Sequence, residues 1–228
     1  MAHLNGCSDP LSKYSLPRQQ FSAASEPSIR HLRTKLIAMM SISLRAVDYT
    51  TKACASERIE MAPDLGRKLE ELACLRESVR GIIRELRETG QTGEHLNGLG
   101  EAALTISASL YLVCDRACNV SLHVATLASE GVRQRPRNLI LLSECINRSL
   151  RLCIVAFVNR EIAHARSAMH HIDDCRWTSL ESWEMPGIVQ RGAVGHWREE
   201  LIAIDLNGMR KNLAAIASQL TSGAMRYL

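Results

Sequence analysis

Residues 101–130 read EAALTISASLYLVCDRACNVSLHVATLASE, and between Glu101 and Glu130 only Asp115 and Arg116 carry a full charge. Ile106, Leu110, Val113, Ala117, Val120, Val124 and Leu127 recur at steps of four and three, the spacing of a coiled-coil-like seam. Beside it runs a stripe of small side chains, Ala103, Ser107, Cys114, Cys118, Ser121, Ala125 and Ala128, which lets a second helix approach closely. The pattern predicts a central helix buried around most of its circumference. A membrane span is not expected, because Asp115, Arg116 and Asn119 would sit at mid-depth, where ionised groups are costly. The uncharged runs on either side, Ala102 to Cys114 and Ala117 to Ser129, both fall short of the roughly 20 residues a bilayer needs.

The rest of the chain has the same character. Only 4% of the 228 residues are aromatic, while Leu, Ile, Ala, Met and Arg abound, which favours bundled helices over sheets. The length suffices for one large helical domain or two small repeats with a sizeable core. A net charge of +4, from 28 basic and 24 acidic residues spread along the sequence, gives no concentrated basic face for nucleic acid. Of the eight cysteines, Cys54, Cys74, Cys114, Cys118, Cys145 and Cys153 lie inside apolar helical patterns, where cysteine acts as a small hydrophobe. They read as reduced, and the protein as cytoplasmic. No apolar core of a secretory signal stands at the N-terminus.

Residues 1–27 mix Ser, Pro, Gln and isolated apolar residues without a period, as a mobile tail does. Ser28 is placed to cap a first helix with the face Ile29, Leu32, Leu36, Met39, Ser43, Ala46, ending near Ala55. A second, with Pro63 near its start, presents Leu65, Leu69, Leu72, Leu75, Val79, Ile83 and Leu86. The glycines of Gly90 to Gly100 predict a loop, after which the central helix begins and runs to Gly131. Arg133, Arg135 and Arg137 form a basic connector, most simply read as solvated. A fourth helix, about Pro136 to Asn159, shows Leu142, Ile146, Leu150, Cys153 and Phe157, and a fifth, Arg160 to about Trp183, shows Ile162, Ala165, Met169 and Ile172. After a loop at Met185-Pro-Gly187 and Gly192, a sixth helix from near Ala193 carries the seam Ile202, Leu206, Met209, Leu213, Ile216, Leu220.

Setting Ser43 on Ser149 and Leu110 on Leu206 aligns two copies of one unit, the second tighter in its loops. The expected fold is therefore all-α, an elongated six-helix bundle of two three-helix repeats, 28–131 and 132–228, behind the tail 1–27.

The run Ala102 to Ser121, AALTISASLYLVCDRACNVS, resembles the third helix of the PhoU family, usually written AALKISxDLERIGDxAxNIA. Ala102, Ala103, Leu104, Ile106, Ser107, Leu110, Asp115, Ala117 and Asn119 fall on the family's positions. Leu206 to Ala217 more weakly resembles the second copy of that motif, and Thr221-Ser-Gly223 its usual ending; in all, the likeness runs from Ile29 to Gly223. It implies a cytoplasmic, non-enzymatic regulator of phosphate uptake and phosphate-responsive signalling, docking on a phosphate ABC transporter and on a sensor histidine kinase. It does not carry over intact. Each family copy holds an acid followed four residues later by Asp, a pair that ligates multinuclear metal clusters. Here the pairs read Tyr111 with Asp115 and Asn207 with Lys211, so one acid of four survives and a lysine opposes a cation at the second site. Asp115, joined by Asp174 from another helix, is the remaining candidate for a divalent or transition metal.

Other clusters have simpler readings. Cys114 and Cys118 are one turn apart and could hold zinc with His123 or Asp115, but they lie in the small-residue stripe, where packing accounts for them. His170, His171, Asp173, Asp174 and Cys175 form the densest set of potential ligands, and a metal-binding bundle built on them is the alternative function, beside a degenerate PhoU paralogue with a different partner. Trp177, Trp183 and Trp197 suit either a partner anchor or the closed end of the bundle. No nucleophile-and-base motif and no phosphate-binding glycine loop is present, so no enzyme is expected. The small-residue stripes allow a homodimer.

Overall fold

The computed structural model describes residues 26–56, 64–88, 94–132, 136–180 and 193–222. They form six α-helices: α1 (Glu26–Ala55), α2 (Leu65–Glu88), α3 (Glu94–Ser129), α4 (Arg137–Asn159), α5 (Ile162–Leu180) and α6 (Ala193–Thr221). Among the described residues there is no strand, and the all-α expectation holds. Residues 1–25, Pro63, Gly90, Arg133, Arg135, Trp183, Met185 to Gly187, Gly192 and Gly223 lie outside the described residues.

Helix formation follows the apolar period closely. All seven residues of the α3 seam are completely buried. The α6 seam from Ile202 to Leu220 is buried too, as are the faces expected of α1 and α4. Full burial of one such Leu, Ile or Val side chain stabilises by about 1.5–3 kcal/mol, so these stripes supply much of the drive to fold. The end of α3 is built by Gly131, at φ 82°. Its N–H donates to the Ala128 carbonyl at 3.1 Å and that of Val132 to the Leu127 carbonyl at 2.9 Å, the paired closure of a Schellman motif. A left-handed Arg160 (φ 60°, ψ 35°) ends α4 in a similar way.

Three boundaries or faces differ from expectation. α1 starts at Glu26 rather than after the tail, since Pro27 suits a first helical turn and Glu26 takes a hydrogen bond from Arg30 at 3.1 Å. α3 starts at Glu94, so Leu96 to Gly100 is helix and not loop. Leu99 is buried to 1% exposure, and a Cβ on Gly100 would stand 3.2 Å from Ile83, so this glycine permits close packing on α2 at a helix cost of about 1 kcal/mol. On α5, Met169 is exposed and Ala165, Ala168, Ile172 and Cys175 face inward.

Helix directions can be read from the contacts. Ser43 donates to the Leu110 carbonyl at 3.2 Å and Thr50 to that of Ala117 at 3.1 Å, so α1 and α3 run parallel. α2 returns antiparallel to α3, with the Cys118 thiol 3.8 Å from the Leu65 carbonyl and Arg76 over Tyr111. Across the molecule, Thr51 donates to Ser143, Asn147 to Asp48, and Arg33 to Val158, which sets α1 antiparallel to α4. Arg116 meets Asp205 and Glu130 meets Arg198, which sets α3 antiparallel to α6. α1, α2 and α3 pack on one another, as α4 and α6 do on α5 and each other. The meeting of α1 with α4 and of α3 with α6, each pair antiparallel, is what a local two-fold relation produces. Ser43 and Ser149, and Leu110 and Leu206, the pairs aligned in the sequence, are all fully buried.

By length and composition Leu96–Ser129 is apolar enough to cross a membrane, and half of its most apolar window is buried inside the bundle. Short uncharged runs therefore do not take α3 out of that class.

Candidate functional site

The positions of the expected acid pairs fall along α3 and α6, whose interface is the most extensive among the described helices. Tyr111 is half-buried beneath Arg76 of α2, whose guanidinium carbon lies 5.0 Å from the ring centroid, so a cation–π contact occupies this position. Asp115 is half-buried one turn on. Next to it, Arg116 Nη1 donates to Asp205 Oδ1 of α6 at 3.0 Å, and both side chains are largely enclosed. The guanidinium lies directly over Gly208, where a Cβ would meet its central carbon at 2.3 Å. Gly208 is therefore the gap into which Arg116 fits. Asn207 accepts a hydrogen bond from Arg210 Nε at 3.0 Å, and Lys211 points to solvent.

Electrostatically this seam is a small charge network. Burial pushes the Asp205 carboxyl above its ordinary value, with Asp115 adding to the rise, while Arg116 and His123 pull it back down. Burial prevails, and Arg116 is the cation that keeps an acid there at all. Arg116 Nε and His123 Nδ1 are buried without a hydrogen-bond partner among the described residues.

The two thiols of the small-residue stripe are shifted in opposite directions: the hydrogen bond with Cys114 pulls the Cys118 thiol below its ordinary value against the effect of burial. A hydrogen bond with Cys118, then burial, holds the Cys114 thiol far above the ordinary thiol range, and burial pushes Cys153 up to about 12.

Asp174 is elsewhere, on the exposed side of α5, with its carboxylate 3.9 Å from His170 Nδ1. α5 packs on α4 and α6, whereas α3 packs on α1, α2 and α6. Among the described residues, one group of three or more potential metal ligands has its ligand atoms within 4.8 Å of one another, and it contains neither Asp115 nor Asp174. It consists of Cys145, His171 and Cys175, on the α4–α5 interface.

Cys145 and Cys175 are joined as a disulfide with their Cα atoms 6.5 Å apart, which corrects the reading of Cys145 as a reduced packing residue. The physical reason is the antiparallel return of α5 on α4, which brings a buried thiol from each helix to one level. With one pair joined, cysteine chemistry no longer points to a reducing compartment. Among the described residues, Cys54, Cys74, Cys114, Cys118 and Cys153 are not joined in a disulfide. Of the sequence cluster His170 to Cys175, the structure takes His171 and Cys175, one turn apart, into this group and leaves His170 in solvent. Cys145 was illegible as a partner because on α4 it sits where any small hydrophobe fits.

The arrangement of the six helices is similar to that in the crystal structure of PhoU from Pseudomonas aeruginosa, with a TM-score of 0.61 across 86% of this chain and 96% of that one. The fold is PhoU-like. Sequence identity over the match is 14%, so the likeness lies in the path of the backbone. No family model and no curated protein sequence matches the chain.

Proposed function

We propose that this PhoU-like chain is a non-enzymatic, cytoplasmic regulator of phosphate uptake and phosphate-responsive signalling that works as a homodimer through contacts with a phosphate ABC transporter and a sensor histidine kinase. The observation that supports this reading is the shared fold over 86% of the chain, with the motif-bearing run Ala102–Ser121 on the buried helix α3. Fold alone admits many functions, and the phosphate connection rests on that motif resemblance. At the α3–α6 seam Tyr111, Asn207 and Lys211 stand where the family motif carries acids, and beside them Arg116 balances Asp205. The regulator then acts through its helix faces. Leu122 of α3 and Ile204 of α6, each 60% exposed, are apolar side chains open to partner helices.

Affinity capture of the tagged chain from phosphate-replete cells tests this. Recovery of a transporter ATPase subunit and of a sensor kinase is expected, reduced in a Leu122→Glu, Ile204→Glu double variant that keeps its helical circular dichroism. Recovery of neither protein would leave the fold without its proposed role.

A further inference from the structure

The Cys145–Cys175 disulfide lies beside His171, whose Nε2 is buried and has no hydrogen-bond partner among the described residues. An imidazole nitrogen left in that state is unfavourable, since burial removes water and nothing replaces it. The imidazole lies beside the two sulfur atoms, with one ring nitrogen and both sulfurs within 4.8 Å of one another. Cys145 and Cys175 are 8% and 6% exposed, so the sulfurs are shielded while His171 is half-buried at the edge, and Cys145 Sγ also lies 3.6 Å from the His171 carbonyl oxygen. His171 and Cys175 project from one turn of α5 and Cys145 from α4, three rigidly carried donors from two packed helices.

Two thiolates and one neutral imidazole are a ligand set for zinc, which takes sulfur at about 2.3 Å and nitrogen at about 2.0–2.1 Å in a tetrahedron. Sulfurs in such a site stand apart rather than bonded, so disulfide and metal are alternative states of the same three side chains. We propose that, in its dithiol form, this chain binds one zinc ion through Cys145 Sγ, Cys175 Sγ and His171 Nε2 with water in the fourth position, and that the disulfide form does not. The two states interconvert in balanced steps. A dithiol reductant gives two electrons and two protons to the Cys145–Cys175 bond, becoming a disulfide itself and leaving two thiols. Zinc then displaces both thiol protons. The site is independent of the α3–α6 seam, so it stands whether or not the regulatory role does.

Cobalt(II) is a spectroscopic probe for such a site. The full-length protein, reduced, freed of reductant by gel filtration without oxygen and titrated with cobalt, is expected to take up one equivalent. Thiolate-to-cobalt charge-transfer absorption and the visible bands of tetrahedral cobalt should appear, and zinc should abolish both. Cys175→Ser removes the charge-transfer intensity from one sulfur. His171→Gln, at a half-buried position, weakens affinity by at least the ~10-fold that loss of even an outer partner costs a metal site. Cys153→Ser, on the same helix as Cys145, changes neither. If Cys175→Ser does not fold, His171→Gln decides. Absence of tetrahedral bands in the reduced wild type, equal binding by the disulfide form, or unaltered binding in His171→Gln overturns the proposal.

Discussion

Arg116 forms one unit with Asp205 and Gly208 although it is distant from them in the chain. The guanidinium occupies the space above Gly208 that a methyl group would fill, and it meets Asp205 from there. Gly208→Ala must push Arg116 off its carboxylate, and Arg116→Ala must leave Asp205 buried without its cation. The two substitutions should therefore be strongly non-additive, with a coupling of about 0.5–3 kcal/mol in a double-mutant cycle measured by urea unfolding. Simple additivity would mean that the arginine is not held there. Asp205 also makes a signed prediction. Because its folded pKa is raised, the folded state binds more protons than the unfolded one between the ordinary value of 3.8 and the shifted value, so its contribution to stability falls as pH rises through that window. Stability of the wild type relative to Asp205→Asn should accordingly decline as the pH rises above the ordinary value of 3.8, with Arg116, His123 and Asp115 the facing charges. A relative gain with pH would show that Arg116 outweighs burial. The sequence displayed Arg116 as one of two charges in the run between Glu101 and Glu130, but not its partner.

At the level of elements, periodicity was a reliable guide wherever one face was uniformly apolar. The seams of α3 and α6, and the inner faces of α1 and α4, are buried as the spacing implies. The reading failed where small residues confused the signal. Glycines near the start of α3 resemble a loop locally, yet Leu99 and the contact of Gly100 with Ile83 keep that turn in the core. On α5, alanines replace larger side chains on the inner face and leave Met169 outside. Gly131 was the opposite case, a stop signal with a local cause. Its φ of 82° penalises any Cβ, so Gly131→Ala should cost about 1–2 kcal/mol, read from thermal or urea unfolding. An unchanged midpoint would mean that the end of α3 is set by packing and not by the turn.

The whole molecule joins two sets of three helices through α1 with α4 and α3 with α6. The disulfide ties α4 to α5 within the second set, across a sequence separation of 30 residues. A closure of that length stabilises by about 3–4 kcal/mol in the chain-entropy account. Reduction in the presence of chelator should lower unfolding stability by that order, and a Cys145→Ser variant should show no response to reductant. Equal stability of the oxidised and reduced wild type would place the constraint elsewhere. The sequence by itself determined that this chain is helical and where its main buried stripes lie, because helical period and turn chemistry act over a few neighbouring residues. Only the tertiary structure decided that Arg116 settles over Gly208 and that Cys145 meets His171 and Cys175. Those pairings depend on the register of one helix against another, which shape and burial fix across the finished interface and which neither helix encodes alone.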